Sequence, residues 1–260
     1  MPTTDSAGCD IYYERTAGDP DREPVVFVGE LGLGAWQWGW QYAGLRGRET
    51  IVYDHRGSGR SDMPAGSCTM DDLLADLEAV FRATNTRRAH VVGCGLGGCV
   101  GLTAARQTGR VRSLTLIGTP VSGSAYDTAE LQADPADISA LRASTAALLS
   151  TAFCEAHPDV LEQICAWRAD EDATPSAQRA QQAALEAFDA EPLYEITHPA
   201  LVVAGGADLV LEAAERTRLA ERLPRGELLE FPEAGHLVGI ERSAAVNDRL
   251  SGFLLSVESD

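Results

Sequence analysis

The sequence predicts an α/β protein built on a mostly parallel, doubly wound sheet with a helical insertion. Three observations predict it. Short apolar runs bounded by Pro or Gly alternate with segments of helical periodicity through the first 119 residues. Val91-Val92-Gly93-Cys94-Gly95-Leu96-Gly97-Gly98 reads as a strand entering a glycine-rich turn, followed by Val100, Leu102, Ala104 and Ala105 at helical spacing. From residue 120 to 199 the chain turns Ala-rich and acidic, with helix-like segments and no clear strand. The expected organisation is a core of residues 1–119 and 200–260 with a helical cap at 120–199.

In chain order, Ile11-Tyr12-Tyr13 is a short strand and Pro24-Val25-Val26-Phe27-Val28 a buried one. Thr50-Ile51-Val52-Tyr53-Asp54 is the next. Thr69 and Asp72 form a capping-box start for a helix whose one face carries Met70, Leu73, Leu74, Leu77, Val80 and Phe81. The glycine turn and its helix follow, then the strand Leu114–Gly118. Within the insertion, Leu141, Leu148 and Leu149 mark one helix. Leu161, Ile164, Cys165 and Trp167 mark a second, and Leu185 with Phe188 a third. The sheet resumes at Ala200–Gly205 and Leu228–Phe231, and an amphipathic helix runs from near Glu241 to near Val257. Asp170-Glu171-Asp172 reads as a solvated turn, and Arg56 as the anchor of its own loop.

Composition narrows the partners. The chain of 260 residues carries 39 Asp and Glu against 21 Lys and Arg, a net charge of −18, and every one of those cations is Arg. Such a surface repels itself at low salt, and 1 M salt screens the repulsion within about 3 Å. A protein suited to a salty cytoplasm is expected, and nucleic acid and anionic membranes are excluded as partners. The six cysteines show no metal-ligand spacing. The first residues lack a basic and apolar leader, and no apolar run is long enough to span a membrane. A reduced, cytoplasmic protein acting on a small molecule is expected, with no metal and no cofactor. Gly93-x-Gly95-x-Gly97-Gly98 matches a dinucleotide loop only in a shifted reading, with no acidic strand end about 20 residues on.

Asp54-x-Arg56-Gly57-x-Gly59-x-Ser61, the turn at 93–98, Gly205-Gly206-Ala207-Asp208 and Ala234-Gly235-His236 stand at strand ends in a fixed order. In these motifs the chain resembles the α/β-hydrolase superfamily along nearly its whole length. It looks closest to small capped members such as the 3-oxoadipate enol-lactonase-like esterases and lactonases. The resemblance implies a Ser–Asp–His triad in chain order. Asp208 and His236 fall on its acid and base, and the backbone N–H groups of Leu31 and Leu96 on its oxyanion hole.

Two positions depart from that pattern. Gly95 stands where the nucleophilic Ser belongs, which leaves a vacant position and no covalent acyl-enzyme by the usual route. Glu30 stands where the family carries Gly, and a carboxylate turned toward a developing oxyanion would oppose it. The reading is a His236–Asp208 general base acting without serine on a small ester, lactone or similarly reactive substrate. It would activate water or drive a lyase or cyclisation step. The alternatives are a silent ligand-binding pseudoenzyme and a hydrolase using Cys94. Cys94, Trp36 and Trp38 are the expected pocket walls. His55, His90 and His198 read as framework residues.

Overall fold

A computed structural model describes residues 2–45, 47–63 and 66–259, so the end residues of the two expected core segments, Met1 and Asp260, lie outside it. The elements in order are β1 (Thr3–Ser6), β2 (Cys9–Thr16), β3 (Val25–Val28), α1 (Gly39–Gly44), β4 (Thr50–Tyr53) and α2 (Met70–Ala83). Then come β5 (Ala89–Cys94), α3 (Leu96–Gln107), β6 (Val111–Ile117), α4 (Ile138–Ala147), α5 (Thr151–Ala156), α6 (Pro158–Glu171) and α7 (Pro175–Glu186). The chain closes with β7 (Ala200–Gly205), α8 (Ala213–Arg222), β8 (Gly226–Phe231), α9 (Val238–Glu241) and α10 (Ser243–Ser259).

One sheet of eight strands runs in the order β1-β2-β4-β3-β5-β6-β7-β8. β1 and β2 pair antiparallel at one edge, and the strands from β4 to β8 are parallel. Successive side chains of a strand point to opposite faces, so β3 and β5 each feed two cores. Val26, Val28 and Val91 pack with Leu73 and Leu77 of α2 and Val100 of α3. Val25, Phe27 and Val92 pack with Trp38 and with Val246, Leu250 and Phe253 of α10. Helices therefore cover both faces, as a parallel sheet requires.

α2 starts on the expected capping box, with Thr69 and Asp72 exchanging hydrogen bonds. Between β6 and β7 lie α4 to α7, joined to the sheet strands by no ladder of their own. Three of these four helices begin on a side-chain cap, at Asp137, Ser150 and Thr174. Leu148 and Leu149 fall beyond the end of α4, and Phe188 beyond α7. The last expected helix is broken at Arg242 into α9 and α10.

Asp172 is not in a solvated turn. Its side chain is 1% exposed, takes an ion pair from Arg168 at 2.6 Å and accepts the Trp36 indole N–H at 3.0 Å. Two buried partners, Arg168 one helical turn before it and Trp36 far off in the sequence, draw it inward. Arg56 does more than anchor its loop. Its guanidinium grips Asp76 of α2 through two bonds of 2.7 and 2.6 Å, fastening the loop after β4 to that helix.

Candidate active site

β5 ends at Cys94, and Gly95 turns the chain into α3 with φ 45° and ψ −108°. A Cβ on Gly93 would stand 2.4 Å from the backbone of Gly97, and one on Gly97 would stand 2.0 Å from the Val28 carbonyl oxygen. The turn is thus as tight as an elbow needs, and glycine allows it. Asp208 follows β7, where its Oδ1 accepts the N–H groups of Val210 and Leu211 at 2.8 and 3.2 Å. His236 lies in the loop after β8, against Gly118, whose missing Cβ would meet the imidazole at 2.7 Å. His236 Nδ1 donates to Asp208 Oδ2 at 2.9 Å.

The vacancy expected beside Gly95 does not exist. Glu30, fully buried, swings inward and fills it. A Cβ on residue 95 would lie 1.7 Å from Glu30 Oε2 and 2.2 Å from the Tyr126 hydroxyl oxygen. Because a serine Oγ sits one bond beyond such a Cβ, Glu30 Oε2 occupies the place of the missing hydroxyl. His236 Nε2 donates to it at 2.9 Å, and the Tyr126 O–H donates to it at 2.6 Å. The other carboxylate oxygen accepts the Leu31 N–H at 2.6 Å and the Leu96 N–H at 3.1 Å. Those are the two donors expected of the oxyanion hole. They converge on one point, and Glu30 Oε1 stands on it.

Charge explains why the arrangement holds. Burial alone would push the His236 imidazolium toward neutrality, but Asp208, Cys94 and Glu30 outweigh it and hold its pKa well above the usual value. Burial likewise opposes ionisation of Glu30, yet His236, the Tyr126 hydroxyl and the Leu31 N–H bring its pKa below the ordinary carboxylate range. Asp208 is lowered by His236 against its own burial. The centre is a carboxylate–imidazolium–carboxylate row, so His236 rests as an acid and not as the free base expected. Burial and the neighbouring carboxylate keep the Tyr126 phenol protonated.

The expected pocket walls divide. Trp38 and Cys94 line a cavity of about 20 Å³ with Gln37, Gln41 and Leu237, about enough for one water. Trp36 lies elsewhere, stacked on Trp167 of α6 at 6.3 Å. Trp40 packs edge-on against the same ring. Burial pushes the Cys94 thiol up to about 11, so it is no thiolate at neutral pH. Its Sγ is 3.8 Å from Glu30 Oε2. Glu30, Cys94 and His236 bring a carboxylate, a sulfur and a ring nitrogen within 4.8 Å of one another, the grouping among the described residues able to hold a metal. The same three groups are already joined by hydrogen bonds. His55 Nε2 donates to the Gly29 carbonyl and His90 Nδ1 meets the Ser113 hydroxyl, both framework contacts. Tyr126 was invisible to motif reasoning, since no pattern surrounds it, and the bridge it forms with Leu211 is long-range.

With strand order, elbow and acid–base row in place, the class is defined. A family model described as alpha/beta hydrolase fold matches residues 24–243, and the chain belongs to that family. Among relatives, it is 32% identical over 265 residues to RutD of Variovorax paradoxus (strain S110), a protein named as a carbamate hydrolase, covering 96% of this chain and 97% of that one. It is 29% identical to 3-oxoadipate enol-lactonase 2 of Acinetobacter baylyi over 92% of this chain and 91% of that one. The enol-lactonase from Burkholderia xenovorans LB400 superposes with a TM-score of 0.85 at 25% identity, covering 98% of this chain and 100% of the other.

Proposed function

We propose that this chain is a small-molecule hydrolase working without serine, in which Glu30, His236 and Asp208 form the reacting row. One observation carries the reading: Glu30 Oε2 lies where the serine hydroxyl would be, 2.9 Å from His236 Nε2. A buried carboxylate with one oxygen on two backbone donors and the other on an imidazolium is preorganised for chemistry at that oxygen. The substrate is a small, intrinsically reactive ester, lactone or related strained ring. Relatives named for carbamate and enol-lactone hydrolysis favour that size and reactivity. His236 acts as a base only after it has given up its proton, which replaces the expectation of a resident free base. The helices of residues 120–199 serve as the cap over this centre.

The experiment is turnover of a panel of small esters, lactones and strained cyclic ethers, repeated with His236→Ala and Asp208→Asn. Hydrolysis lost in both variants supports the reading, and an unaffected rate removes it. A second reading, a silent ligand-binding protein, is favoured by the sealing of the site, since Glu30 and His236 are both 0% exposed. A ligand that raises Tm without being consumed would favour that one. A Cys94 hydrolase is disfavoured by its raised thiol pKa, and unchanged turnover after thiol alkylation would dismiss it. The acidic surface suits a cytoplasm rich in salt.

A further inference from the structure

The parallel strands begin on the edge of the sheet opposite the Gly95 turn, so residues just ahead of neighbouring strands become neighbours in space. Arg88 directly precedes β5, Arg112 is the second residue of β6, His198 lies two residues ahead of β7, and Arg225 directly precedes β8. Backbone bonds tie these starts together. The Ala89 N–H donates to the Arg110 carbonyl at 2.9 Å, that of Leu114 to Pro199 at 2.9 Å, and that of Ala200 to Arg225 at 3.0 Å. From this edge β5 runs six residues to the turn, and at about 3.3 Å per residue that is a separation of about 20 Å.

Arg88, Arg112, Arg225 and His198, with Thr197 and Val257, line a cavity of about 260 Å³ to which no carboxylate among the described residues contributes. That grouping runs against a composition of 39 acidic residues to 21 arginines. At the same edge Arg48 and Arg110 do meet glutamates, Glu258 and Glu78. Backbone carbonyls fix two of the guanidiniums, which holds a cation in place without cancelling its charge. Arg88 Nε donates to the Val111 carbonyl at 3.3 Å, and Arg112 Nη2 donates to that of Val257 in α10. Arg112 Nε also lies 3.4 Å from Glu23, whereas Arg88 meets no carboxylate among the described residues. Burial, and after it the charge of Arg88, lowers the pKa of His198, so an uncharged ring sits there in a positive field.

We propose that this cavity is a second binding site, remote from the Glu30–His236 centre, and that it takes the phosphate of a small phosphate monoester. The proposal does not rest on the hydrolase reading. Guanidinium forks match the oxygens of a phosphate, and a dianion relieves a crowding of cations that no carboxylate of the wall relieves. Size bounds the guest. A volume of about 260 Å³ lies just under the range of about 300–1,000 Å³ for small-molecule pockets, room for a phosphate and a few carbons. Arg88 also lines a wider cavity of about 520 Å³, whose wall includes Asp21, Glu23 and Glu49. A ligand body extending that way meets carboxylates, which accept hydrogen bonds from hydroxyl groups and repel a second anionic group. A phosphorylated polyol or sugar suits both cavities, and a polyphosphate does not.

The test is calorimetric titration of the whole chain with glucose 6-phosphate and glycerol 3-phosphate, the ionic strength held constant with KCl so that screening does not change. At a net charge of −18 the molecule repels anions at long range, so saturable uptake reports a site. One-to-one binding is expected, with a Tm that rises with ligand. Kd should increase about tenfold or more in Arg88→Ala and in Arg112→Ala, the loss of one charge-assisted hydrogen bond. Arg179→Ala, which removes an exposed arginine of α7, should leave Kd unchanged. Arg88 is itself exposed, so its variant keeps the test open even where Arg112→Ala fails to fold. No saturable binding of either ester, or the same Kd in Arg88→Ala as in wild type, would overturn the site. Glucose or succinate bound as tightly as the esters, or ATP bound more tightly, would overturn the phosphate-monoester assignment.

Discussion

Glu30 and Gly95 occupy the same space in turn: the carboxylate oxygen of one stands 1.7 Å from where the other would carry a Cβ. Restoring serine at residue 95 alone therefore forces Glu30, Tyr126 or the elbow to move. Gly95→Ser should lower stability by about 1–3 kcal/mol, the range for overpacking a closed interior. Adding Glu30→Gly should recover most of that loss and free the Leu31 and Leu96 donors. A burst of p-nitrophenol from p-nitrophenyl acetate, the mark of an acyl-serine, should then appear in the double variant and not in Gly95→Ser. Additive stability changes in the double-mutant cycle would show that the two positions do not compete.

The buried row also fixes a pH dependence. Glu30 and Asp208 have folded pKa values below 4.5 and 3.8, so their contribution is present above those values and is lost as pH falls through the lower folded ones. His236 is raised above 6.5, so its contribution is full below pH 6.5 and is lost as pH rises toward the folded value. In that alkaline stretch the unfolded chain has released a proton the folded one keeps, and the slope is about 1.4 kcal/mol per pH unit. Urea unfolding should find the row's full contribution between about pH 4.5 and 6.5. Glu30→Gln removes one of the two anions facing the imidazolium and should shorten the alkaline decline. A wild-type stability that stays level from pH 6 to 9 would contradict the assigned charges.

Away from the site, Asp76 is 0% exposed and holds Arg56 through two bonds. Asp76→Ala leaves the guanidinium with Asp72, whose carboxylate is 3.4 Å away and whose carbonyl accepts at 3.2 Å, and should cost about 3 kcal/mol, the low end for breaking a buried pair. Thr69→Ala, which removes only the cap of the same helix, should cost about 1 kcal/mol. Denaturant midpoints of the two variants would rank them, and the reverse order would overturn the weight given to the ion pair.

The net charge of −18 predicts a fourth outcome. Molar KCl screens repulsion among surface carboxylates, so the melting temperature should rise from dilute buffer to 1 M KCl. A flat or falling curve would leave the acidic composition without a stabilising role in salt.

Much of the fold was legible because the inner parallel strands, β3 to β7, are buried on both faces and read as apolar runs. β1 was not. Its residues Thr3–Ser6 are polar, and it is held by a hairpin at Ala7 and Gly8, whose φ angles are 55° and 82°. α5 was also missed, since none of its six residues is fully buried and only the adjacent Phe153 and Cys154 pack on the core, which leaves no periodicity to find. At the site, Asp208, His236 and the two backbone donors could be placed because motifs at strand ends carry them. The filled vacancy could not. Whether Glu30 points in or out depends on Tyr126, 96 residues away, and no local pattern links the two. Removing a hydroxyl from a sequence looks like opening a space, whereas the packed interior closes on it.

The seating of Glu30 has a practical consequence for anyone surveying hydrolases by chemical proteomics. Fluorophosphonate tags mark family members by phosphonylating a serine beside two backbone amides, which hold the phosphonyl oxygen. Here that perch holds a fixed anion from the chain itself, which offers no hydroxyl to tag and repels the reagent's own phosphonyl oxygen. The protein would pass through such a survey unlabelled, and an electrophile aimed at carboxylates is the bait to use instead.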